Sequence, residues 1–423
     1  MNDNNRILII DDDPGVRESY TEILSPSPST DVLAIGNALF GGQADDYEAA
    51  AGPRYDLMLA ENGAEGIRLA VEAREQGRPF ATAFIDMKMP GIDGAETAKR
   101  IWAVDADLTI VIVTAYSEYT PDDIIRVTGR NDIFYLRKPF NAEEIRQFAR
   151  ALTNQWNLER AKELHRKHQE DDLRAAAEIQ RSLLPRESPT VENFQFAWQF
   201  MPCKQIGGDI FNIHRLNESH LALYVVDVSG HGVPAAMVTV SVSQTLLPTT
   251  GSILKHNADG LPGDTIVPPV DVLTSLDREY PMDRFGKYFT IAYLILNTET
   301  GHIRYSSAGH PMPVLVRANG DIELLREGGT IIGMGAHIPF EEGDARMYAG
   351  DRLFLYTDGI VENMNEADEE FGHEKFYDQL VKLQQNDLDV VGKRIIEAVV
   401  AHGNNPIPQD DITLLAVEYR QKQ

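Results

Sequence analysis

The segment that decides the fold is "LALYVVDVSGHGVPAAM", residues 221–237. Its apolar run ends on Asp227, and Gly230 and Gly232 follow before the chain becomes apolar again. This pattern predicts a buried strand, a tight turn and the start of a helix. A carboxylate at the end of a buried strand is either a structural cap or a metal ligand, and the other acidic motifs decide between the two.

Three further acidic motifs adjoin apolar runs in the same half of the chain. They are "QIGGDIFNI" with Asp209, "RLFLYTDGIVE" with Asp358, and "QDDITLLAV" with Asp410 and Asp411. Each motif by itself is typical of a surface turn, but together with Asp227 they place several carboxylates at the end of one predicted sheet. Oxygen ligands alone favour magnesium or manganese, and the sequence has no histidine–cysteine cluster that indicates zinc. We therefore expect a two-metal site.

The N-terminal part alternates short apolar runs with helix-like stretches, and polar residues follow the runs. This alternation predicts a parallel, doubly wound sheet with its site at the carboxyl ends of the strands. The residues at those ends are Asp11, Asp12, Asp86, Thr114 and Lys138. Three carboxylates favour magnesium, while the hydroxyl and the lysine suit phosphoryl oxygens. The set predicts an aspartate that accepts a phosphoryl group.

Composition excludes several classes of protein. The chain has 423 residues, which suggests two or three domains, and a net charge of -26 from 39 basic and 65 acidic residues. This charge argues against nucleic acid or an anionic membrane as the main partner. Cys203 is the single cysteine, so an intrachain disulfide is impossible. Because no signal peptide or long apolar run is evident, we expect a cytoplasmic protein.

A long helix is predicted between the two halves. Residues 141–184 contain no glycine or proline, and Pro185 ends the run. Asn141 and Glu144 form a capping-box pair at its start. The middle is almost entirely charged, whereas apolar residues recur in an imperfect heptad. This pattern favours a two-stranded coiled coil, and hence a homodimer, over a solvated single helix.

The N-terminal motifs resemble the response-regulator receiver domain over residues 5–150. The resemblance implies a flavodoxin-like α/β fold in which a cognate histidine kinase phosphorylates Asp86. It also implies a magnesium ion held by Asp11, Asp12, Asp86 and the carbonyl of Lys88. Thr114 and Lys138 would contact the phosphoryl oxygens, and Tyr135 matches the switch aromatic. One departure is residues 25–54, rich in small residues, which we interpret as a loop inserted between the first helix and the second strand.

The later motifs resemble the PPM-type metal-dependent protein phosphatases, in their SpoIIE/RsbU-like branch, over residues 175–421. The motifs are "AAAEIQRSLLP", "IGGD", "DVSGHGVPAA", "YFTIAYLIL", "SAGHPMPVL", "GGTIIGM", "YTDGIVEN" and "DDITLL". The resemblance implies an α+β fold, a β-sandwich flanked by helices, that binds two Mn²⁺ or Mg²⁺ ions and acts on phosphoserine or phosphothreonine in a protein. The implied metal-site residues are Asp209, Asp227, the carbonyl of Val228, Asp358, Asp410 and, beside them, Asp411.

Three other polar residues of this half have open roles. His231 is a candidate acid for the leaving oxygen, although a histidine in a glycine turn is more often structural. His310 in "SAGHP" is interpreted as structural. Asn212 stands where the family often has a second aspartate, which reduces the charge expected near the metals.

These observations predict a receiver domain at residues 1–140, a helical coiled-coil linker at 141–186 and a phosphatase domain at 187–423. The expected function is a response regulator whose output phosphatase is controlled by phosphorylation of Asp86, with an anti-sigma-factor antagonist or similar phosphoprotein as substrate. Two alternatives are a receiver-controlled scaffold with a degenerate, non-catalytic phosphatase domain, and a nucleotide cyclase suggested by "GGDIF". The rest of the cyclase signature is missing from the sequence.

Overall fold

The structure, a computed structural model, describes residues 3–25, 54–115, 120–250, 252–256, 262–335 and 339–420. The chain divides into two compact units, Met1–His168 and Gln169–Gln423. The predicted inserted loop lies between the first helix and the second strand, but residues 26–53 are outside the described residues. The predicted domain boundaries at residues 140 and 186 stay predictions.

The first unit contains a five-stranded parallel sheet in the order β2-β1-β3-β4-β5. Its strands are β1 (Arg6–Ile10), β2 (Asp56–Ala60), β3 (Thr82–Asp86), β4 (Thr109–Thr114) and β5 (Phe134–Arg137). Its helices are α1 (Pro14–Leu24), α2 (Gly63–Glu75), α3 (Gly94–Val104), α4 (Pro121–Thr128) and the first part of α5 (Ala142–Ser182).

Both faces of this sheet are buried. Leu8 and Ile10 pack on one face with residues of α2 and α3, whereas Ile7 and Ile9 pack on the other face with residues of α1 and α5. Parallel strands buried on both faces are continuously apolar, as the sequence of β1 shows. The predicted doubly wound, flavodoxin-like fold is confirmed.

The long helix α5 runs without interruption from Ala142 to Ser182. The predicted capping box is present, because the side chain of Asn141 accepts from the amide of Glu144 and the side chain of Glu144 accepts from the amide of Asn141. Farther along, Leu158 is 71% exposed and Ile179 is 63% exposed. The helix itself is confirmed, while the second helix that a coiled coil requires stays a prediction.

The second unit is a sandwich of two sheets. The first sheet has the order β15-β12-β11-β8-β7, with β16 also paired to β12, and the second has the order β14-β13-β17-β18-β6. The strands of the first sheet are β7 (Asp209–Arg215), β8 (His220–Val228), β11 (Phe289–Asn297), β12 (His302–Ala308), β15 (Gly328–Gly329) and β16 (Gly343–Arg346). Those of the second are β6 (Phe194–Met201), β13 (Val314–Val316), β14 (Ile322–Leu324), β17 (Arg352–Tyr356) and β18 (Ile412–Tyr419). A separate pair joins β9 (Leu254–His256) to β10 (Pro262–Ile266).

Helices cover the outer faces of the sandwich. They are α6 (Val233–Thr245), α7 (Pro269–Glu279), α8 (Met282–Phe285), α9 (His373–Lys382) and α10 (Leu388–Gly403). The inner faces of the two sheets share one core, α6 and α7 pack outside the first sheet, and α9 and α10 pack outside the second. The predicted β-sandwich flanked by helices is confirmed. Among the described residues, no helix is long and apolar enough to cross a membrane.

Candidate functional site

The first acidic site lies at the carboxyl edge of the parallel sheet. Asp11 directly follows β1, Asp86 ends β3 and Lys138 directly follows β5. The ammonium of Lys138 lies 2.8 Å from Oδ2 of Asp11 and 2.6 Å from Oδ1 of Asp86. Carboxylate oxygens of Asp11, Asp12 and Asp86 lie within 4.8 Å of one another. The structure therefore brings together four of the predicted residues, in a group that fits a divalent cation with oxygen ligands.

In this group, burial and the contacts between opposite charges shift the pKa values in opposite directions. Burial raises the pKa of Asp86, and the contact with Lys138 offsets only part of that rise. Burial lowers the pKa of Lys138, but its contacts with Asp11 and Asp86 outweigh this effect and leave the pKa above its ordinary value. Lys138 therefore stays charged beside the carboxylate that would accept a phosphoryl group.

The neighbouring backbone holds Asp86 closely. The amide of Lys88 donates to Oδ2 of Asp86 over 3.1 Å. A methyl group at Gly94, the first residue of α3, would lie 2.5 Å from the carbonyl oxygen of Asp86, so only glycine fits there. Thr114 ends β4 and Tyr135 lies half-buried on β5. The roles of Thr114, Tyr135 and the carbonyl of Lys88 stay predictions.

The second acidic site begins with two opposed aspartates. Asp209 on β7 and Asp227 on β8 are direct partners in the antiparallel register. Oδ2 of Asp209 accepts from the hydroxyl of Thr357 over 2.8 Å and from that of Thr413 over 2.6 Å. Because Thr357 and Thr413 belong to the second sheet's end, the buried Asp209 links the two sheets there. Sequence reasoning missed both threonines, although each lies within an acidic motif that it did identify.

Asp411 has a different environment from its neighbour Asp410. Asp411 is buried, and its oxygens accept from the amide of Cys203 over 2.7 Å and from that of Gly208 over 2.5 Å. A methyl group at Gly207 would come within 2.4 Å of Oδ2 of Asp411. Asp410 is exposed. Gly207 of the "IGGD" motif is thus needed because its backbone lies against the carboxylate of Asp411, whereas Gly208 is needed because its backbone lies against the carbonyl of Val228.

The remaining carboxylates raise one another's pKa. Burial, followed by repulsion from Asp358 and Asp410, raises the pKa of Asp227 to about 8. Burial, followed by repulsion from Glu362 and Asp410, raises the pKa of Asp358 to about 6. The pKa of Asp209 is also well above its ordinary range, through burial and then through Asp227. Glu362, one turn after Asp358, is an acidic member that sequence reasoning missed.

This donor set fits divalent cations. Carboxylates that repel one another across a small volume are relieved by bound positive charge, and oxygen ligands favour Mg²⁺ or Mn²⁺. One sulfur atom borders the cluster, because Sγ of Cys203 and carboxylate oxygens of Asp410 and Asp411 lie within 4.8 Å of one another. The carbonyl of Val228 borders the same loop, since a methyl group at Gly208 would lie 2.6 Å from it. Near the end of β8, Asp227 therefore lies in a cluster of acidic side chains, whereas a structural cap would lie among hydrogen-bond donors.

The polar residues with open roles fall in three different places. Both ring nitrogens of the exposed His231 lie 3.1 Å from the ammonium of Lys204, and its role as an acid stays a prediction. His310 is buried, with Nδ1 2.8 Å from the hydroxyl of Thr290. Asn212 donates to the carbonyl of Leu183 over 2.7 Å, and strand alternation places it on the face of β7 opposite to Asp209. Its missing charge therefore lies away from the carboxylate group.

Comparisons with known proteins match both halves of the chain. Residues 217–420 match the family model described as Stage II sporulation protein E (SpoIIE), and residues 48–150 match that of the response regulator receiver domain. The second match begins after β1 and after Asp11, which directly follows it, but β1 pairs with both β2 and β3 and so belongs to the same sheet.

Similar proteins extend over different parts of the chain. Protein IcfG of Synechocystis sp. is 24% identical over 357 residues, which is 78% of this chain and 51% of that protein. Phosphoserine phosphatase RsbU of Bacillus subtilis is 27% identical over 194 residues, which is 45% of this chain and 53% of that protein. The chain thus spans about half the length of these curated relatives. The solved SiaA-PP2C domain of Pseudomonas aeruginosa has a TM-score of 0.51 at 20% identity, covers 61% of this chain and 99% of its own, and supports the fold alone.

Proposed function

We propose that this chain is a metal-dependent protein serine/threonine phosphatase controlled by phosphorylation of Asp86. The proposal joins the two matched families, the response regulator receiver domain and the SpoIIE-type PPM phosphatase domain. The observation that carries the proposal is the acidic cluster at one end of the sandwich. There Asp209 and Asp227 are opposed in register, and Asp358 and Asp410 raise the pKa of Asp227. Such perturbed carboxylates are typical of catalytic metal sites.

The side chains of the cluster divide between binding and positioning. The residues that would hold two Mn²⁺ or Mg²⁺ ions are Asp209, Asp227, Asp358 and Asp410 with the carbonyl of Val228, and Asp411 lies beside them. When bound, such ions would lower the pKa of a water molecule and neutralise charge on the phosphoryl group. Asp209 is oriented by its two threonine donors, and Asp411 holds the glycine loop. His231 is the candidate acid for the leaving oxygen, and a structural role in the glycine turn is its alternative.

The substrate class follows from the same resemblance. RsbU is named a phosphoserine phosphatase, and we extend that activity to this chain, with an anti-sigma-factor antagonist or similar phosphoprotein as substrate. A histidine kinase would phosphorylate Asp86, with Mg²⁺ held by Asp11, Asp12 and Asp86. A homodimer and a cytoplasmic location belong to the same proposal. The scaffold alternative depended on Asn212, whose side chain lies on the opposite strand face from Asp209.

The test is a phosphatase assay on the full chain with Mn²⁺ and a phosphoserine peptide, with and without acetyl phosphate. We expect metal-dependent hydrolysis whose rate changes with acetyl phosphate, and a loss of at least about a hundredfold in Asp227→Asn and Asp358→Asn. Glu187→Gln, at an exposed position, is the matched control and should behave as the wild type.

Two results would contradict the proposal. Equal turnover in wild type and both aspartate variants would remove the cluster from catalysis. Absence of hydrolysis in the wild type, with intact metal binding, would favour the scaffold, and turnover of guanosine triphosphate in a parallel assay would favour a cyclase.

A further inference from the structure

One buried side chain fastens the last turn of the long helix to the glycine loop of the phosphatase site. Gln180 on α5 is 4% exposed. Its Nε2 donates to the carbonyl of Gly207 over 2.8 Å, and its Oε1 accepts from the amide of Gly207 over 3.2 Å. A carboxamide that satisfies both backbone groups of one residue holds that residue in position and orientation.

The held glycine lies directly against the acidic cluster. A methyl group at Gly207 would approach Oδ2 of Asp411 to 2.4 Å, and the amide of the next residue, Gly208, donates to that same oxygen. The carbonyl of Gly208 accepts from the amide of Val228 and, over 3.1 Å, from the hydroxyl of Thr239. The segment that Gln180 holds therefore touches Asp411 on one side and the residue after Asp227 on the other.

A cluster of three buried apolar residues surrounds the amide pair, and Leu183 and Leu184 just beyond the helix pack against the cores of the sandwich. Ala177 packs against Ile206 and Ala236, with partly buried Leu173 and Ala176 beside them. If this turn of the helix rotated or shifted, the buried N–H and carbonyl of Gly207 would lose their partner. Leaving buried polar groups unpaired is unfavourable, so the loop must move with the helix or exchange its partner.

We propose that Gln180 is a positioning residue of the phosphatase site, through which the long helix sets the glycine loop and thereby the affinity for the metal ions. The proposal rests on the proposed function and deepens it by naming the contact that couples helix to site. It gives the helix two distinguishable states, one with the Gly207 pair formed and one with it broken, and a signal changes activity by shifting their populations.

The test measures Mn²⁺ binding by calorimetry on the full chain. Asp12→Asn and Asp86→Asn are included throughout, so that the receiver site does not contribute to the titration. Gln180→Met keeps the length of the side chain but removes the amide, and we expect Mn²⁺ to bind about tenfold more weakly. Gln169→Met, at an exposed position of the same helix, is the matched control and should leave the affinity unchanged. Affinity within about twofold of the parent in Gln180→Met would overturn the proposal.

A second variant covers the case in which Gln180→Met does not fold. Gln180→Asn keeps the amide but is too short to reach both groups of Gly207, so weaker Mn²⁺ binding supports the proposal and unchanged binding overturns it. With Asp86 restored, acetyl phosphate should change the phosphatase rate of the wild type and no longer change that of Gln180→Met. A retained response would overturn the coupling. If the wild type hydrolyses no phosphopeptide, the proposed function fails, while the calorimetric comparison still decides the role of Gln180.

Discussion

Asp227 is the residue of the second unit at which stability and the proposed function conflict most. It is the penultimate residue of β8, whose residues Leu221–Val226 are fully buried, and it faces Asp209 across the ladder. Burial and the nearby carboxylates raise its pKa to about 8. Without a cation, the folded protein must either hold a proton there or keep repelling charges close together. Sites built for chemistry commonly reduce stability in this way.

This conflict predicts how the stability of the metal-free protein depends on pH. The pKa of Asp227 is raised from 3.8 to about 8 on folding, so between these values the folded state binds a proton that the unfolded state does not. Its contribution to stability is therefore present at low pH and is lost as the pH rises through this window. We expect metal-free Asp227→Asn to melt several degrees above the wild type at pH 8 and close to it at pH 4.

Thermal unfolding followed by circular dichroism, with a chelator present, makes this comparison. Mn²⁺ should reverse the order at pH 8, because the wild type regains stability by binding it. Glu187→Gln serves as the control for loss of one negative charge at an exposed position. Wild type and Asp227→Asn melting together at pH 8 in chelator would show that Asp227 is not under electrostatic strain.

Asp86 is the residue that we predict to accept a phosphoryl group. Full-length protein with Mg²⁺ and acetyl phosphate should gain the mass of one phosphoryl group, and Asp86→Ala should gain none. Lys138 contacts both Asp11 and Asp86, so its charge is placed to offset that of the added group.

Mass spectrometry of the intact protein measures this uptake. Asp13→Ala is the control, since Asp13 caps α1 through the amide of Gly15 and should leave labelling in place. Equal labelling of Asp86→Ala would move the acceptor elsewhere, with Asp12 and Asp13 as the first residues to examine.

At the scale of elements, α5 has two ends with different partners. Ile145, Ala149 and Leu152 pack in the core of the first unit, whereas Ala177 and Gln180 belong to the second unit and contact its "IGGD" loop there. Between them the sequence is charged and carries ion pairs between residues of the helix itself, such as Glu163 with Arg166. Exposed pairs of this kind add little stability, so the middle of the helix is held mainly by its ends.

The rotation of the downstream part of α5 relative to its upstream part should therefore control how the phosphatase responds to phosphorylation of Asp86. Inserting four residues after Lys167 rotates the downstream part by about 40°, whereas seven residues nearly preserve its face. We expect the four-residue insertion to abolish the response of the phosphatase to acetyl phosphate, and the seven-residue insertion to keep most of it. Phosphopeptide hydrolysis with and without acetyl phosphate is the measurement. If both insertions respond as the wild type does, the helix is a passive tether.

At the scale of the whole molecule, the predicted homodimer depends on apolar residues that the single chain leaves exposed. Leu158 and Ile179 are separated by three heptads and so occupy equivalent positions of a coiled coil. Both are strongly exposed on α5. We expect the wild type to sediment as a dimer and Leu158→Lys with Ile179→Lys to sediment as a monomer, because the charges would face each other across the seam.

Sedimentation velocity over a range of concentrations measures this difference. Glu178→Lys, beside Ile179 and also exposed, controls for the added charge and should remain dimeric. A wild-type chain that stays monomeric with and without acetyl phosphate would contradict the coiled coil and the regulation proposed through it.

Much of the architecture could be predicted because its signals are local. Strand runs that end on Asp11, Asp86 and Asp227 place these carboxylates at the strand ends, and the cap at Asn141 marks the start of α5. A strand repeats every two residues and a helix every 3.6, so short windows of sequence suffice to identify both.

The amino-acid sequence by itself therefore determined the two folds, the uninterrupted helix and the positions of the acidic motifs. Only the tertiary structure decided that Asp209 is held by Thr357 and Thr413, that Asp411 is buried while Asp410 is exposed, and that Gln180 holds Gly207. These contacts join side chains far apart in the chain, or depend on which face of a strand is covered. The periodicity of a strand or helix encodes neither the partner of a distant side chain nor the covered face of a strand. Both follow from how the sheets and helices pack together.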